Sequence, residues 1–158
     1  AYRVGDIMFI VFDCGEDKPD DFWVYAGLTD FDGYRTEQAA WFGELIRSKA
    51  YKSAKWRIVM NHFPPLSHME SDNPERHGIQ DITDKFLPLY NQAKIDLMIS
   101  GHTHAYEFMS PDKYDRLTFP VIVNSTESVA RIDIDGRTLK AKVTDTGGNT
   151  LKEFTISK

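Results

Sequence analysis

Short apolar runs alternate with helix-patterned segments along the first two thirds of the chain. Three runs have the length of a buried strand: Ile7 to Phe12, Trp56 to Met60 and Ile95 to Ile99. Thr36 has the side chain of a helix N-cap, and the residues after it carry apolar side chains at helical spacing, so a helix is predicted over 37–49. A second helix is predicted over about 82–93, where Pro88 must kink or restart it.

The pattern changes near Thr118, where the remaining apolar segments are short and separated by turn signals. Asp135-Gly136 and Gly147-Gly148 are typical hairpin turns. Four strands are predicted in this part: Phe119–Asn124, Val129–Ile134, Leu139–Val143 and Leu151–Ile156. The order strand, helix, strand, helix, strand, followed by an antiparallel meander, predicts an α/β fold with a mixed β-sheet flanked by helices.

Two polar stretches, 13–35 and 66–80, are predicted to be loops because they hold glycines, prolines and no periodic apolar pattern. A loop as long as the first usually covers a site or an interface. Six aspartates between residues 13 and 32 match no calcium-loop spacing, and we interpret them as solvated loop residues.

Length, charge and cysteine content limit the function classes. The 158 residues fit one domain, and a net charge of −5 without a basic cluster disfavours a nucleic-acid-binding surface. No apolar stretch approaches the roughly 20 residues that span a membrane. Cys14 is the only cysteine, which excludes an internal disulfide and a thiolate metal site, and its position at a strand end predicts a small buried side chain.

Histidines follow two of the predicted strands. His62 comes directly after the second apolar run, and His102 and His104 follow the third within Gly101-His102-Thr103-His104. Parallel strands bring their carboxyl ends to one edge of a sheet, so these imidazoles can converge on a metal ion. In extended backbone His102 and His104 would face the same way and serve one metal, whereas in a turn they would diverge and could serve two.

Two further histidines, His68 and His77, lie in the second polar stretch. Either could reach a substrate held at the metal, although a solvated loop histidine is the simpler interpretation of each.

Residues 58–65 and 95–107, which contain Asn61-His62-Phe63-Pro64 and Gly101-His102-Thr103-His104, resemble the C-terminal half of calcineurin-like metallophosphoesterases. The opening strand and the helix near residue 37 are also similar, and the purple acid phosphatase-like branch resembles the chain best. The resemblance covers roughly residues 2–135. It implies half of a four-layer α/β/β/α sandwich that carries metals between its two sheets.

The resemblance also implies a site. His62 and His102 would bind one divalent ion (Zn, Fe or Mn) and His104 a second, and a water-derived nucleophile would attack a phosphate mono- or diester. His68, followed by Met69-Glu70, resembles the position of a substrate-contacting histidine. The sequence leaves the compartment undetermined, and the resemblance is compatible with an exported or periplasmic protein.

The carboxylate and asparagine ligands that the family places upstream are absent from residues 1–158. We therefore expect the chain to be the C-terminal portion of such a domain, with at most one partially ligated metal and little or no activity alone. The N-terminal half of the domain would then be its natural partner, and self-association would be an alternative way to cover the face left open.

Two alternatives remain at the level of sequence. The first is a non-catalytic folded module that binds a partner chain and keeps vestigial histidines. The second is a mononuclear three-histidine zinc hydrolase, which would need Asp96, Glu107 or Glu70 as its general base.

Overall fold

The computed structural model describes residues 1–66, 68 and 72–158. A six-stranded sheet contains β1 (Tyr2–Val4), β2 (Ile7–Phe12), β3 (Trp56–Asn61), β4 (Leu97–Ser100), β5 (Glu107–Met109) and β6 (Val121–Val123), in the order β1-β2-β3-β4-β6-β5. A three-stranded sheet contains β7 (Ser128–Asp135), β8 (Thr138–Asp145) and β9 (Thr150–Ser157). The helices are α1 (Phe31–Leu45), α2 (Lys49–Lys52), α3 (Arg76–Lys85) and α4 (Leu87–Ala93), and a 3-10 turn covers Trp23–Tyr25.

The centre of the first sheet is parallel, and its strands end at a common edge. Strands β2, β3, β4 and β6 pair in parallel, while β1 and β5 add antiparallel strands at the two sides. The register places Met60 of β3 opposite Ile99 of β4. The residues that directly follow these two strands therefore emerge side by side, which is where ligands bind in open α/β sheets.

Alternating side chains of the first sheet enter two separate cores. Met8, Ile10 and Phe12 of β2 pack against the helices, in a core that includes Phe42 of α1 and Tyr90 of α4. The opposite face packs on the three-stranded sheet through a second core. The fully buried residues of this core are Trp56, Ile58, Leu97, Ile122, Leu139, Ala141 and Val143. The chain thus forms a helix layer, a mixed sheet and a second sheet, which confirms the predicted α/β class with a sheet flanked by helices.

One row across the first sheet is only partly covered at the edge where the parallel strands end, since Ile99 packs on the second core while its two neighbours are exposed. Val11, Met60 and Ile99 lie on neighbouring strands in register and point toward the side of the second sheet. Val11 is 50% exposed and Met60 is 38% exposed, because β7–β9 cover only the part of the face nearer the start of the strands. We call these three residues the open row.

The first helix begins earlier than the sequence indicated. Asp30, not Thr36, caps α1 by accepting a hydrogen bond from the Gly33 amide, and the Asp20 carboxylate accepts from the amides of Phe31 and Asp32. The end of the predicted 13–35 loop is therefore helical. Acidic side chains at a helix N-terminus satisfy amides that have no partner within the helix, and here two of them do so.

The second helical segment and the meander also differ from the prediction. Helix α3 starts at Arg76, inside the stretch predicted to be irregular, and the chain restarts as α4 after Phe86, with Pro88 in the first turn of the new helix. Strand β6 pairs in parallel with β4 and belongs to the first sheet, so the meander has three strands and not four. In the part of the chain that the structure describes, none of the helices has the length and apolarity needed to cross a membrane.

Candidate metal centre

His62 and His102 meet at the carboxyl edge of the first sheet. The Gly101 amide donates a hydrogen bond to the His62 carbonyl oxygen (2.9 Å), so the segments after β3 and β4 are joined at their backbones. The imidazoles then lie nearly perpendicular, with His62 Nε2 3.3 Å from His102 Nδ1. The structure therefore brings together two of the three histidines that the sequence singled out.

The Gly101–His104 segment is a turn. The Thr103 amide donates to the Gly101 carbonyl oxygen (2.9 Å) across His102, whose φ is +72°, and His104 has a φ of +57°. Positive φ is uncommon for residues other than glycine, and backbone strain of this kind clusters at functional sites. The turn separates the two side chains, so His104 is exposed while His102 faces His62.

The His102 ring is fixed by packing on one side and a carboxylate on the other. The Phe63 ring meets it edge-to-face, with centroids 4.7 Å apart, and Asp17 Oδ2 lies 3.8 Å from Nε2. Burial lowers the pKa of His102, as does the neighbouring His62, while Asp17 partly opposes them. A lowered pKa keeps the imidazole neutral near pH 7, which is the form that binds metals.

Asp17 is held in this place by its neighbours in the chain and by α3. The Gly78 amide donates to the Asp17 carbonyl oxygen (2.6 Å), and Lys18 Nζ lies 2.8 Å from Asp17 Oδ1, which leaves Oδ2 toward His102. The interpretation of all the loop aspartates as solvated is therefore wrong for Asp17, whose side chain is only 13% exposed. Its signal in the sequence was its place shortly after β2, a strand adjacent to β3 at the same edge.

The spacing of the two imidazoles suits one metal ion. His62 Nε2 and His102 Nδ1, 3.3 Å apart, are close enough to share a hydrogen bond with each other, and the same spacing would let both nitrogens bind one zinc ion. Asn61 Oδ1, one residue before His62, is buried and has no hydrogen-bond partner among the described residues. Within residues 1–66, 68 and 72–158, no group of three or more His, Cys, Asp or Glu side chains is arranged to hold a metal. The pair fits as two ligands of an incomplete site.

His68 belongs to a second polar cluster near the same edge. Its Nε2 lies 3.0 Å from Glu107 Oε1, and the Tyr114 hydroxyl donates to the same Glu107 oxygen. That bond raises the pKa of Tyr114 to about 12, so Tyr114 stays protonated and keeps donating. A cavity of about 400 Å³ opens beside His68, and Pro64 and Thr103 contribute to its wall.

The other candidate residues have different roles. Asp96 lies at the start of β4, away from the histidines, and bonds the Arg57 amide and Lys158, so it is not placed to act as a general base. His77 lies in α3 rather than in a loop, with Nε2 2.8 Å from Asp32 Oδ1. Glu70 and Met69 lie outside the described residues. Cys14 is buried and free, as predicted.

Comparisons with known proteins agree with this architecture. Residues 3–106, about two thirds of the chain, match the model of the calcineurin-like phosphoesterase family. The chain is 29% identical over 99 residues to probable purple acid phosphatase 20 of Arabidopsis thaliana, covering 61% of this chain and 22% of that protein.

Two other relatives are similarly distant. An uncharacterized protein of Mycobacterium tuberculosis is 32% identical over 76 residues, covering 48% of this chain and 14% of its own length. Purple acid phosphatase 1 of Ipomoea batatas is 27% identical over 82 residues, covering 51% of this chain and 17% of its own. The chain thus spans less than a quarter of the curated relatives it matches. Since the family model covers most of the chain, the protein belongs to the calcineurin-like phosphoesterase family.

Proposed function

We propose that residues 1–158 are the C-terminal portion of a metal-dependent phosphoesterase domain that hydrolyses phosphate mono- or diesters through a dinuclear metal centre. The observation that supports this most is the pair of ring nitrogens, His62 Nε2 and His102 Nδ1, held 3.3 Å apart at the carboxyl ends of adjacent parallel strands. Family membership supports the same class of chemistry.

Each candidate residue has a role in this proposal. His62 and His102 offer ring nitrogens to one divalent ion, and His104, turned outward by its positive φ, is available to a second. When bound, such ions supply Lewis acidity to the phosphoryl group and to the attacking water. His68, fixed by Glu107, stands beside the cavity where it can hydrogen-bond to a phosphate oxygen.

We expect the isolated chain to have little or no activity, because two imidazoles fill at most half of one tetrahedral site. The open row is an apolar surface that a partner segment would cover. Val11, Met60 and Ile99 form an apolar strip that ends at His62, so a segment packed on it would also lie beside the metal centre. The N-terminal half of the domain would cover the strip and add carboxylate ligands, and a second copy of the chain is the alternative cover.

The open row also supports a second candidate function, a non-catalytic module that binds a partner chain. An exposed apolar strip in a folded domain is a common feature of interaction surfaces. In that case the histidines would be vestigial, and the chain would bind its partner without metal.

Metal titration by calorimetry separates the two functions. We expect micromolar zinc binding that is lost in His102→Ala and retained in His77→Ala, a control that removes a histidine bonded to Asp32 instead. Equal zinc binding by both variants would show that His62 and His102 do not form the metal site. No zinc binding by the wild-type chain would favour the partner-binding module.

A further inference from the structure

Four cationic side chains surround a cavity near the start of β3, away from the histidines. They are Arg47 just after α1, Lys52 of α2, Arg57 of β3 and Lys94 at the end of α4, and the cavity has a volume of about 320 Å³. Arg57 is the second residue of β3 and His62 follows its last, so roughly 16 Å of strand separates this cavity from the candidate metal centre. The four cations come from separate elements, and only the folded chain brings them together.

The Arg57 guanidinium lies over the ring of Tyr51, which also lines the cavity. The guanidinium carbon is 5.1 Å from the ring centroid. The buried Tyr51 ring is held in place by its hydroxyl, which donates to the Ala93 carbonyl oxygen (3.1 Å). An aromatic ring that occupies the face of a guanidinium leaves the N–H groups at its edge to bind a ligand.

Most of the hydrogen-bonding capacity of Arg57 is unused by the described residues. Its Nε is buried without a hydrogen-bond partner among them, and its Nη2 donates to the Lys52 carbonyl oxygen at 3.4 Å. The Asp96 carboxylate does not supply the acceptor, because Oδ2 accepts from the Arg57 backbone amide (2.8 Å) and from Lys158 Nζ (2.7 Å). A buried donor without a partner costs free energy, so an acceptor brought by a ligand would be stabilising.

The cavity is cationic, although the chain as a whole carries a net charge of −5. Arg47 pairs with Glu44, whereas the ion pairs within residues 1–66, 68 and 72–158 include none of Lys52, Arg57 and Lys94. The uncharged residues of the cavity wall are Ile46, Tyr51, Gln92 and Ala93. The wall therefore combines positive charge with a partly apolar lining and suits an anion.

Helix capping accounts for only part of this arrangement. A lysine at the C-terminal end of a helix stabilises the helix dipole, which is a sufficient reason for Lys52 and Lys94 taken alone. It does not account for Arg57, which lies on a strand with a buried Nε that no described residue accepts from. Arg57 is thus the residue that points to a ligand.

We propose that this cavity binds a tetrahedral oxyanion: inorganic phosphate or the phosphate group of a small monoester. A planar guanidinium can donate to two oxygens of a phosphate at once, and the flexible ammonium groups of Lys52 and Lys94 can approach the others. The site is separate from the histidine pair and needs no metal, so it does not depend on the proposed function.

Phosphate titration of the metal-free chain in EDTA, followed by NMR, tests the site. We expect saturable shifts at the Lys52 and Lys94 amides and at the Arg57 Nε–H, larger than those that sodium chloride of equal ionic strength produces. Arg57→Lys keeps the charge but loses the planar fork, and should weaken phosphate binding at least about 5-fold. Arg131→Lys, the same change at an exposed arginine that pairs with Asp133, should leave the affinity unchanged.

A second variant makes the test independent of how Arg57 packs on Tyr51. Lys94 is exposed, so Lys94→Gln should fold as the wild-type chain does and weaken phosphate binding about 2-fold or more. Glycerol 3-phosphate identifies the source of the anion: tighter binding than inorganic phosphate indicates a monoester, and weaker binding indicates the free ion.

Three results would overturn the proposal. The first is a phosphate response no larger than that to chloride. The second is wild-type affinity in both Arg57→Lys and Lys94→Gln. The third is displacement of phosphate by a lower concentration of a tetraglutamate peptide, which would make the cavity a surface for an acidic protein segment instead.

Discussion

Replacing Arg35 by methionine should destabilise the fold more than any exposed substitution of the same type. The Arg35 side chain is fully buried and makes hydrogen bonds to four groups: the carbonyl oxygens of Cys14 (2.8 Å) and Glu16 (3.1 Å), and the carboxylates of Asp81 (2.7 Å) and Asp32. It therefore joins α1, α3 and the loop that follows β2.

The magnitude follows from what remains after the guanidinium is removed. Asp81 keeps Lys85 at 2.8 Å, and Asp32 keeps His77 at 2.8 Å, so neither carboxylate is left alone. The Cys14 and Glu16 carbonyls lose this donor, and an unsatisfied buried acceptor costs about 1–3 kcal/mol. Breaking a buried ion pair costs about 3–5 kcal/mol, and because Lys85 and His77 still contact the two carboxylates we expect a loss of about 3 kcal/mol.

Urea unfolding followed by tryptophan fluorescence measures this loss. Arg47→Met is a matched control, because Arg47 pairs with Glu44 at 2.7 Å while 72% exposed, and an exposed pair contributes less than about 1 kcal/mol. The reasoning is refuted if Arg35→Met and Arg47→Met lower the free energy of unfolding by the same amount.

Three further changes test other contacts. Asp17→Asn should weaken zinc binding about 10- to 100-fold in calorimetry, because the carboxylate 3.8 Å from His102 orients that ring. Gly78→Ala should lower the free energy of unfolding by about 1–3 kcal/mol, because its Cβ would lie 2.7 Å from Phe63 and 2.9 Å from the Asp17 backbone. Tyr114→Phe should cost stability near neutral pH. Since its hydrogen bond to Glu107 raises the Tyr114 pKa to about 12, the difference from wild type should shrink above about pH 10 in pH-dependent urea unfolding.

Each of these changes has a control at a comparable position. Asp21→Asn alters an exposed loop aspartate and should leave zinc affinity unchanged. Gly43→Ala, in open space on α1, should stabilise the fold by up to about 1 kcal/mol. Tyr34→Phe, at a 41% exposed tyrosine, should show no such pH dependence. If a variant behaves like its control, the contact that we assign to the replaced side chain does not have the proposed effect.

The strands that carry the histidines could be predicted because their signal is local. Apolar runs identified β2, β3 and β4, and the parallel register of β3 and β4 brings His62 and His102, which follow them, close together. The conformation of His102 could not be predicted, because its positive φ depends on the hydrogen bond across the turn and on the Phe63 ring.

Arg35 and Asp17 were missed for a different reason. Both are charged residues in or near a polar, acidic stretch, where sequence alone favours exposure. Arg35 is buried beside Asp81, which lies 46 positions away in α3. Asp17 is buried beside His102, which lies 85 positions away in the turn that follows β4. Only the packing of the folded chain brings these partners close. The positions of the candidate imidazoles can thus be predicted from the local sequence, whereas the groups that orient them depend on tertiary packing.

The exposure of the open row differs from what the sequence of its strands predicts. The β2 run is apolar at every position, and the β3 run is apolar from Trp56 to Met60 except for Arg57, a pattern typical of parallel strands covered on both faces. The structure covers both faces near the start of these strands, but leaves Val11 and Met60 exposed at the end next to His62. One additional segment packed on the open row, as proposed above, would account both for these uncovered apolar positions and for the small number of candidate ligands beside them. A segment packed on the open row would bury the strip and lie beside the histidine pair. If the chain is the C-terminal portion of a longer domain, as we propose, the N-terminal portion added in trans should therefore raise zinc affinity and protect Met60 from oxidation together.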